Sequence, residues 1–278
     1  MKVVLFCGGL GLRLRDYSEN VPKPMVHIGH RPILWHVMKY YAYYGHKDFI
    51  LCLGYKGEMI KEYFLHYNEC VSNDFTLREG GRKIEIASRD IDDWTITFVD
   101  TGMRSLIGER LKAVARHLEG EDVFLANYSD NLTDFHLPNL TDVFLSRDKV
   151  AGFLCVKPSQ SFHVVDSNGD GEVKNIRGAR ESDIWLNGGY FVLRNEIFDY
   201  MNDGDELVVE PFQRLINANR LFAYKYDGFW ACMDTFKEKQ WLEDMSARGQ
   251  AIWEVWNNGG VKTVRNGERK DAKIAVRR

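Results

Sequence analysis

The chain has 278 residues, 45% of them hydrophobic in the wide sense, and a formal net charge of −3. That is ample for one large core, and a slightly acidic balance gives no basic field to recruit nucleic acid. The five cysteines, Cys7, Cys52, Cys70, Cys155 and Cys232, are scattered and contain no Cys-x-x-Cys pair, which suits a reduced, cytoplasmic protein without a disulfide framework or zinc site.

The chain runs directly into Val3–Cys7, an apolar stretch read as a buried strand, with no basic-then-apolar leader and no apolar run of membrane-spanning length. Ile33–Tyr44 carries Ile33, Leu34, Val37, Met38 and Tyr41 at helical spacing and stops at Gly45. Asp48–Leu53 reads as a second strand and Glu58–Tyr67 as a second helix, the rhythm of a parallel sheet covered on both faces. From 68 to 94 that rhythm fails. Gly80-Gly81 marks a turn, and a hairpin is expected at Arg82–Ala87 within an excursion of the kind that forms lids or oligomer interfaces.

Strands are expected at Thr95–Val99, Val123–Ala126 and Val150–Val156, with helices at Gly108–Leu118 and Leu137–Ser146. The second half differs. Phe162–Val165 and Glu172–Ile176 flank a polar turn and read as a hairpin. A glycine-containing strand, Leu186–Leu193, a helix at Leu207–Ala218, strands at Leu221–Tyr226 and Phe229–Met233, and a helix at Thr235–Arg248 follow. Residues 257–278 form a polar, basic tail outside the fold.

Five features carry chemistry. Gly8, Gly9 and Gly11 let backbone N–H groups curl into an anion cradle. Arg13 offers a planar fork suited to phosphate, and Lys23, between Pro22 and Pro24, sits on a backbone expected to be stiff and extended. Asp130 follows a buried strand, where ligands bind in open parallel sheets, and a carboxylate there suits Mg2+. Asp234 has the same character. On residue type alone, Asp130 serves equally as a turn former, Asp134 as a cap of the following helix, and Asp234 as a helix N-cap. Trp185-Leu186-Asn187-Gly188-Gly189 opens a strand and reads either as a structural bulge with an ordinary polar neighbour or as one whose asparagine binds sugar hydroxyls, and Arg110 reads either as a ligand-facing charge or as a solvated helix residue.

The block Gly8-Gly9-x-Gly11-x-Arg13…Pro22-Lys23-Pro24-Met25 resembles the signature of sugar-1-phosphate nucleotidylyltransferases, most closely the glucose-1-phosphate cytidylyltransferases. The resemblance covers about residues 1–256. It implies a Rossmann-like α/β core with a mixed, mostly parallel sheet, its nucleotide-binding half reaching to about 130 and a β-rich sugar-binding half beyond. It also implies action on a nucleoside triphosphate and a sugar 1-phosphate, and the 68–94 excursion would suit the interface of a homo-oligomer. Carried over residue by residue, it assigns Arg13 and Lys23 to catalysis, and Gly8, Gly9, Gly11, Arg13, Lys23, Arg110, Ser129 and Asp130 to the nucleotide. Asn187, Gly188 and Trp230 go to the sugar, and Asp130 and Asp234 to Mg2+.

Three departures stand against a full carry-over: Leu12 replaces the usual threonine, Gly178-Ala179-Arg180 the usual Glu-Lys-Pro, and Phe162-His163-Val164 a Phe-Gly-Ala segment. Arg177 or Arg180 is then expected to supply the missing positive charge, unless the acceptor is not glucose 1-phosphate. CTP is preferred through the nearest family, with dTTP and UTP as alternatives, and a non-catalytic nucleotide-binding homologue is the competing class. A dinucleotide-binding dehydrogenase needs an acidic residue about twenty positions after the glycines, where this chain has Pro22-Lys23-Pro24 and Val26-His27.

Overall fold

The computed structural model describes residues 1–9, 21–159 and 162–257. Among them, β1 (Val3–Phe6) is buried along its length: Val3 and Leu5 face one hydrophobic cluster, Val4 and Phe6 the other. A strand buried on both faces belongs in the middle of a layered sheet. β1 pairs in parallel with β4 (Asp48–Leu53) on one side and with β8 (Val123–Asn127) on the other. The full order is β14-β10-β13-β8-β1-β4-β7, with β7 at Thr95–Asp100, β10 at Ala151–Val156, β13 at Leu186–Arg194 and β14 at Leu221–Tyr226. Only β13 runs against the others. The carboxyl ends of β1, β8, β10 and β14 therefore open along one edge of the sheet, and strands from both halves of the chain share it. This is the Rossmann-like, mostly parallel architecture expected.

Two helical layers cover the faces. α1 (Ile33–Tyr43) buries Ile33, Leu34, Val37, Met38 and Tyr41 in one cluster. On the other face lie α3 (Ile107–Ala113), through Leu111, and α5 (Glu210–Asn217), through Phe212 and Leu215. α2 (Gly57–Leu65), α4 (Pro138–Leu145) and α6 (Phe236–Ala247) complete the described α-helices.

The local differences from expectation have physical causes. α4 and α5 start at or just before prolines, Pro138 and Pro211, because proline is tolerated only in a helix's first turn. The helix expected at 108–118 ends at Ala113 and continues as a separate 3-10 turn, Ala115–Leu118. The excursion hairpin begins earlier than expected. β5 (Phe75–Arg78) pairs with β6 (Lys83–Ile86) across Gly80 and Gly81, whose φ of 64° and 94° close the turn. The hairpin expected in the second half is β11 (His163–Ser167) with β12 (Val173–Gly178). β15 (Trp230–Cys232) does not join the main sheet but pairs with a three-residue strand, β9 (Asn131–Thr133). β2 (His27–Ile28) and β3 (Arg31–Pro32) form a last small pair.

The excursion is tied down by charge. The Arg31 guanidinium, 4% exposed on its side chain, donates to Ser72 Oγ and to the Asn68 carbonyl and lies beside Asp90. Asp90 also accepts from Lys39, Tyr67 and Asn73. Trp253 is buried and stacks on Phe229, while Trp256 meets Trp35 edge-on. The basic tail beyond Asn257 lies outside the described residues.

Candidate active site

The site grows from the end of β1. Gly8 is needed for close approach: a Cβ there would lie 2.0 Å from Arg110 Nη1. Its carbonyl accepts from Arg110 Nη2 at 3.1 Å and from the Tyr55 N–H at 3.4 Å. A Cβ on Gly9, by contrast, would meet no atom of the described residues within 4 Å.

Arg110 corrects one reading of its role: it is not a solvated helix charge. It is 2% exposed, and Nη1 donates to the Leu53 carbonyl, Thr101 Oγ1 and the Gly102 carbonyl. Burial pulls its pKa down, yet an arginine starts so high that it stays charged. It is a strap that joins the loops after β1, β4 and β7. Gly11 and Arg13 lie outside the described residues, as does Leu12.

Lys23 is not on an extended backbone. Pro22 is extended, but Lys23–Met25 forms a 3-10 turn, closed by Met25 N–H to the Pro22 carbonyl and Val26 N–H to the Lys23 carbonyl. Pro24 supplies the φ such a turn needs, and Pro24 and Met25 are buried, which anchors it. The Lys23 ammonium bonds to Asp130 Oδ2 and Asp234 Oδ1. Burial alone would lower its pKa, but Asp130, Cys232 and Asp234 around it outweigh burial and raise it, so the ammonium stays charged.

A short ladder brings the two aspartates together across 104 residues. β8 ends at Asn127, and the side chain of Asn127 accepts the Ser129 N–H. Ser129 takes a left-handed φ of 66°, a costly conformation for a non-glycine residue. Its hydroxyl donates to the Phe6 carbonyl at 2.8 Å. Ser129, expected to bind nucleotide, fixes the turn that aims Asp130. β9 starts at once and pairs with β15, Asn131 opposite Cys232, and the Met233 N–H donates to the Asp130 carbonyl. Asp234 is therefore laid beside Asp130. It is not the N-cap: Thr235 caps α6 in a capping box with Glu238, and the Asp234 N–H also donates to Glu238 Oε2. Asp134, the other expected cap, instead accepts from the Tyr226 hydroxyl and the Phe229 N–H.

The ligand atoms of Asp130, Cys232 and Asp234 lie within 4.8 Å of one another. Cys232 was not anticipated. Its only signal was its place two residues before Asp234, and burial pushes its thiol pKa up. Paired carboxylates of this kind suit a hard divalent cation, and the ammonium seated between them is a cation already stabilised at that spot.

Of the sugar-side residues, two belong to the frame. Trp230 is 7% exposed and donates its indole N–H to the Gly188 carbonyl at 2.8 Å, which ties the two residues expected at the sugar to each other. Gly188 is buried against Val156 and the Leu154 carbonyl. Asn187 is half-buried, bonds the Tyr128 hydroxyl and accepts the Gly189 N–H. Arg180 donates to Asp227, and Arg177 pairs with Asp166 on the β11–β12 hairpin, so neither guanidinium is directed to Asn187.

Comparison with known proteins agrees with this fold. The nucleotidyl transferase family matches residues 2–231. The glucose-1-phosphate cytidylyltransferase of Salmonella typhimurium is 38% identical over 258 residues, 92% of this chain and 100% of that protein. A probable glucose-1-phosphate cytidylyltransferase of Bacillus subtilis is 37% identical with the same coverage. Among solved structures, a UDP-glucose pyrophosphorylase complexed with UDP-glucose superposes with a TM-score of 0.64 at 13% identity, covering 89% of this chain and 98% of that one. A putative glucose-1-phosphate thymidylyltransferase from Bacillus anthracis gives 0.63 at 15% identity, covering 88% and 95%.

Proposed function

The chain belongs to the nucleotidyl transferase family, and we propose that within it the protein joins CTP to a sugar 1-phosphate, releasing pyrophosphate and a CDP-sugar. A phosphate oxygen of the sugar 1-phosphate attacks the α-phosphorus of the nucleotide. That P–O bond forms as the bond from the α-phosphorus to the bridging oxygen breaks, and the electron pair leaves with pyrophosphate. No side-chain nucleophile is required, so catalysis is positioning and neutralisation of charge.

The observation that carries this reading is the convergence of Lys23, Asp130 and Asp234 at the carboxyl edge of the sheet. Two of the three Lys23 ammonium donors serve the carboxylates, and the proposal gives the third to the transferring phosphoryl group. Asp130 and Asp234 would hold Mg2+, which when bound supplies Lewis-acid neutralisation of phosphate charge. Gly9 offers backbone that a nucleotide can approach, and Arg110 keeps Gly8 in place from below. Arg13 is assigned to the departing pyrophosphate.

The retained lysine and carboxylate pair speak for an enzyme over a non-catalytic binding homologue, which has less need of a cation site. A matrix of five nucleoside triphosphates against several sugar 1-phosphates, read as pyrophosphate release with Mg2+, tests the reading. Release with CTP above the other nucleotides supports it, and no release from any pair refutes it.

We also assign a homo-oligomer. On the excursion hairpin, Phe75, Leu77 and Ile84 are exposed, and Leu77 lies opposite Ile84, so one face of the hairpin is an apolar row. Light scattering checks this: a monomer with Leu77→Asp where the wild type is larger supports it. No helix among the described residues is long and apolar enough to cross a membrane.

A further inference from the structure

A second charged cluster lies on the same edge of the sheet as the carboxylate pair. In the ladder, Cys155 of β10 sits opposite Asn187 of β13 on one side and Lys225 of β14 on the other. Laterally paired positions share a face of the sheet, so Asn187 and Lys225 flank Cys155 on one surface. Just beyond the strand ends, Lys157 follows β10 and Trp185 precedes β13. Lys157 Nζ lies 4.4 Å from the centroid of the Trp185 ring and Lys225 Nζ lies 5.0 Å from it. Lys157 also donates to the Ser182 carbonyl. Trp185 is half-exposed and Lys225 exposed.

Neither ammonium makes an ion pair among the described residues, whereas the neighbouring Arg177 and Arg180 do. Two like charges gathered on one indole repel each other, and the ring face offsets only part of that. An arriving anion would remove the repulsion.

Position says which part of a ligand that anion is. β10 and β14 are two and three strands from β8 in the sheet. At about 4.8 Å per strand, their ends stand roughly 10–15 Å from where Asp130 leaves it. That is beyond a phosphoryl group held by Asp130 and Asp234, and is the reach of the far side of a sugar attached to it. The carboxyl edge of the sheet is where such a ligand lies.

We propose that Lys157 and Lys225, gathered on Trp185, clamp a second negative charge on the acceptor, a carboxylate or a phosphate, so that the preferred substrate is an acidic sugar 1-phosphate. This rests on the transferase reading above. The clamp lies next to the departing Gly178-Ala179-Arg180 stretch, through the Lys157–Ser182 bond, and it adds recognition of charge to recognition of a sugar. A charge-assisted hydrogen bond in a partly dry site changes affinity by roughly tenfold to a hundredfold.

The test compares kcat/KM, with CTP and Mg2+, for glucose 1-phosphate, glucuronic acid 1-phosphate and glucose 1,6-bisphosphate. The expected result is that one acidic acceptor exceeds glucose 1-phosphate by at least about tenfold. That ratio collapses toward one in Lys157→Ala/Lys225→Ala and is largely kept in Lys225→Arg. The two acidic arms separate a carboxylate from a phosphate. The single alanine variants and melting curves run alongside, so that loss of fold is not read as loss of preference. A wild type that favours glucose 1-phosphate, or a preference that survives the double substitution, overturns the clamp and leaves the transferase standing. No pyrophosphate from any acceptor refutes the transferase reading, and the clamp with it.

Discussion

The two ends of the carboxyl edge are built differently. At the β1–β8 end the described polar groups are engaged by protein: Arg110 by carbonyls, Lys23 by two carboxylates, and the Ser129 hydroxyl by Phe6. At the β10–β14 end, lysines share an indole without a carboxylate among the described residues, and the adjoining hairpin exposes Phe162, Val165 and Ile176. The first end is preorganised, as a centre that must neutralise charge at the moment of reaction has to be. The second is open, as a wall that selects among acceptors can be. On the proposed reading, the chemistry is housed at the end whose described groups are engaged by protein, and the choice of sugar at the end whose lysines make no ion pair among the described residues.

That contrast can be broken experimentally. The largest effect is expected from Lys23→Ala, which should lower turnover by at least about a hundredfold, the scale of one preorganised electrostatic group. Near-normal pyrophosphate release would remove Lys23 from the chemistry. Arg110→Met should cost about 3 kcal/mol in denaturant unfolding, because it strips buried carbonyls of their donor. A loss of CTP affinity with no loss of stability would mean that the side chain touches nucleotide after all.

Acid should sharpen the contrast next. Burial lowers the His36 pKa to about 4; its neutral ring donates from Nε2 to the Ile28 carbonyl and accepts the Trp253 indole N–H. Below pH 6.5 the unfolded chain takes up a proton that the folded chain refuses until about pH 4, so stability falls as pH drops through that window. By pH 5 the loss is about 2 kcal/mol. His36→Gln, which keeps a donor and an acceptor, should flatten the pH dependence, and an unchanged slope would contradict the assignment.

The glycine loop gives a smaller and internally controlled comparison. Gly8→Ala should cost about 2 kcal/mol, since its Cβ would meet a guanidinium that cannot move aside. Gly9→Ala should fall within about 0.5 kcal/mol, as should Ile176→Ser on the open hairpin. Equal costs at Gly8 and Gly9 would mean that the strap does not hold the loop.

Local pattern made most of the main-sheet strands and the helices of the core legible, because Val3–Phe6, Ile33–Tyr43 and Asp48–Leu53 announce their burial by period. Asp130 and Asp234 were legible as residue types at strand ends. Their meeting was not, because it depends on the β9–β15 ladder, and β9 is three residues of ordinary polarity. The protein partners of Arg110 and Ser129 were not legible, because Gly8 and Phe6 lie more than a hundred residues away. The Lys157–Trp185–Lys225 cluster was invisible because only the order β14-β10-β13 brings it together.

The central claim is that Asp130 and Asp234 share one cation at the edge where the nucleotide is bound. Electron paramagnetic resonance of Mn2+, added in place of Mg2+ with CTP, measures this directly in the wild type and in Asp130→Asn and Asp234→Asn. The account predicts one bound ion per chain in the wild type and at least about tenfold weaker binding in either variant. Mn2+ binding that is indifferent to both substitutions would contradict it.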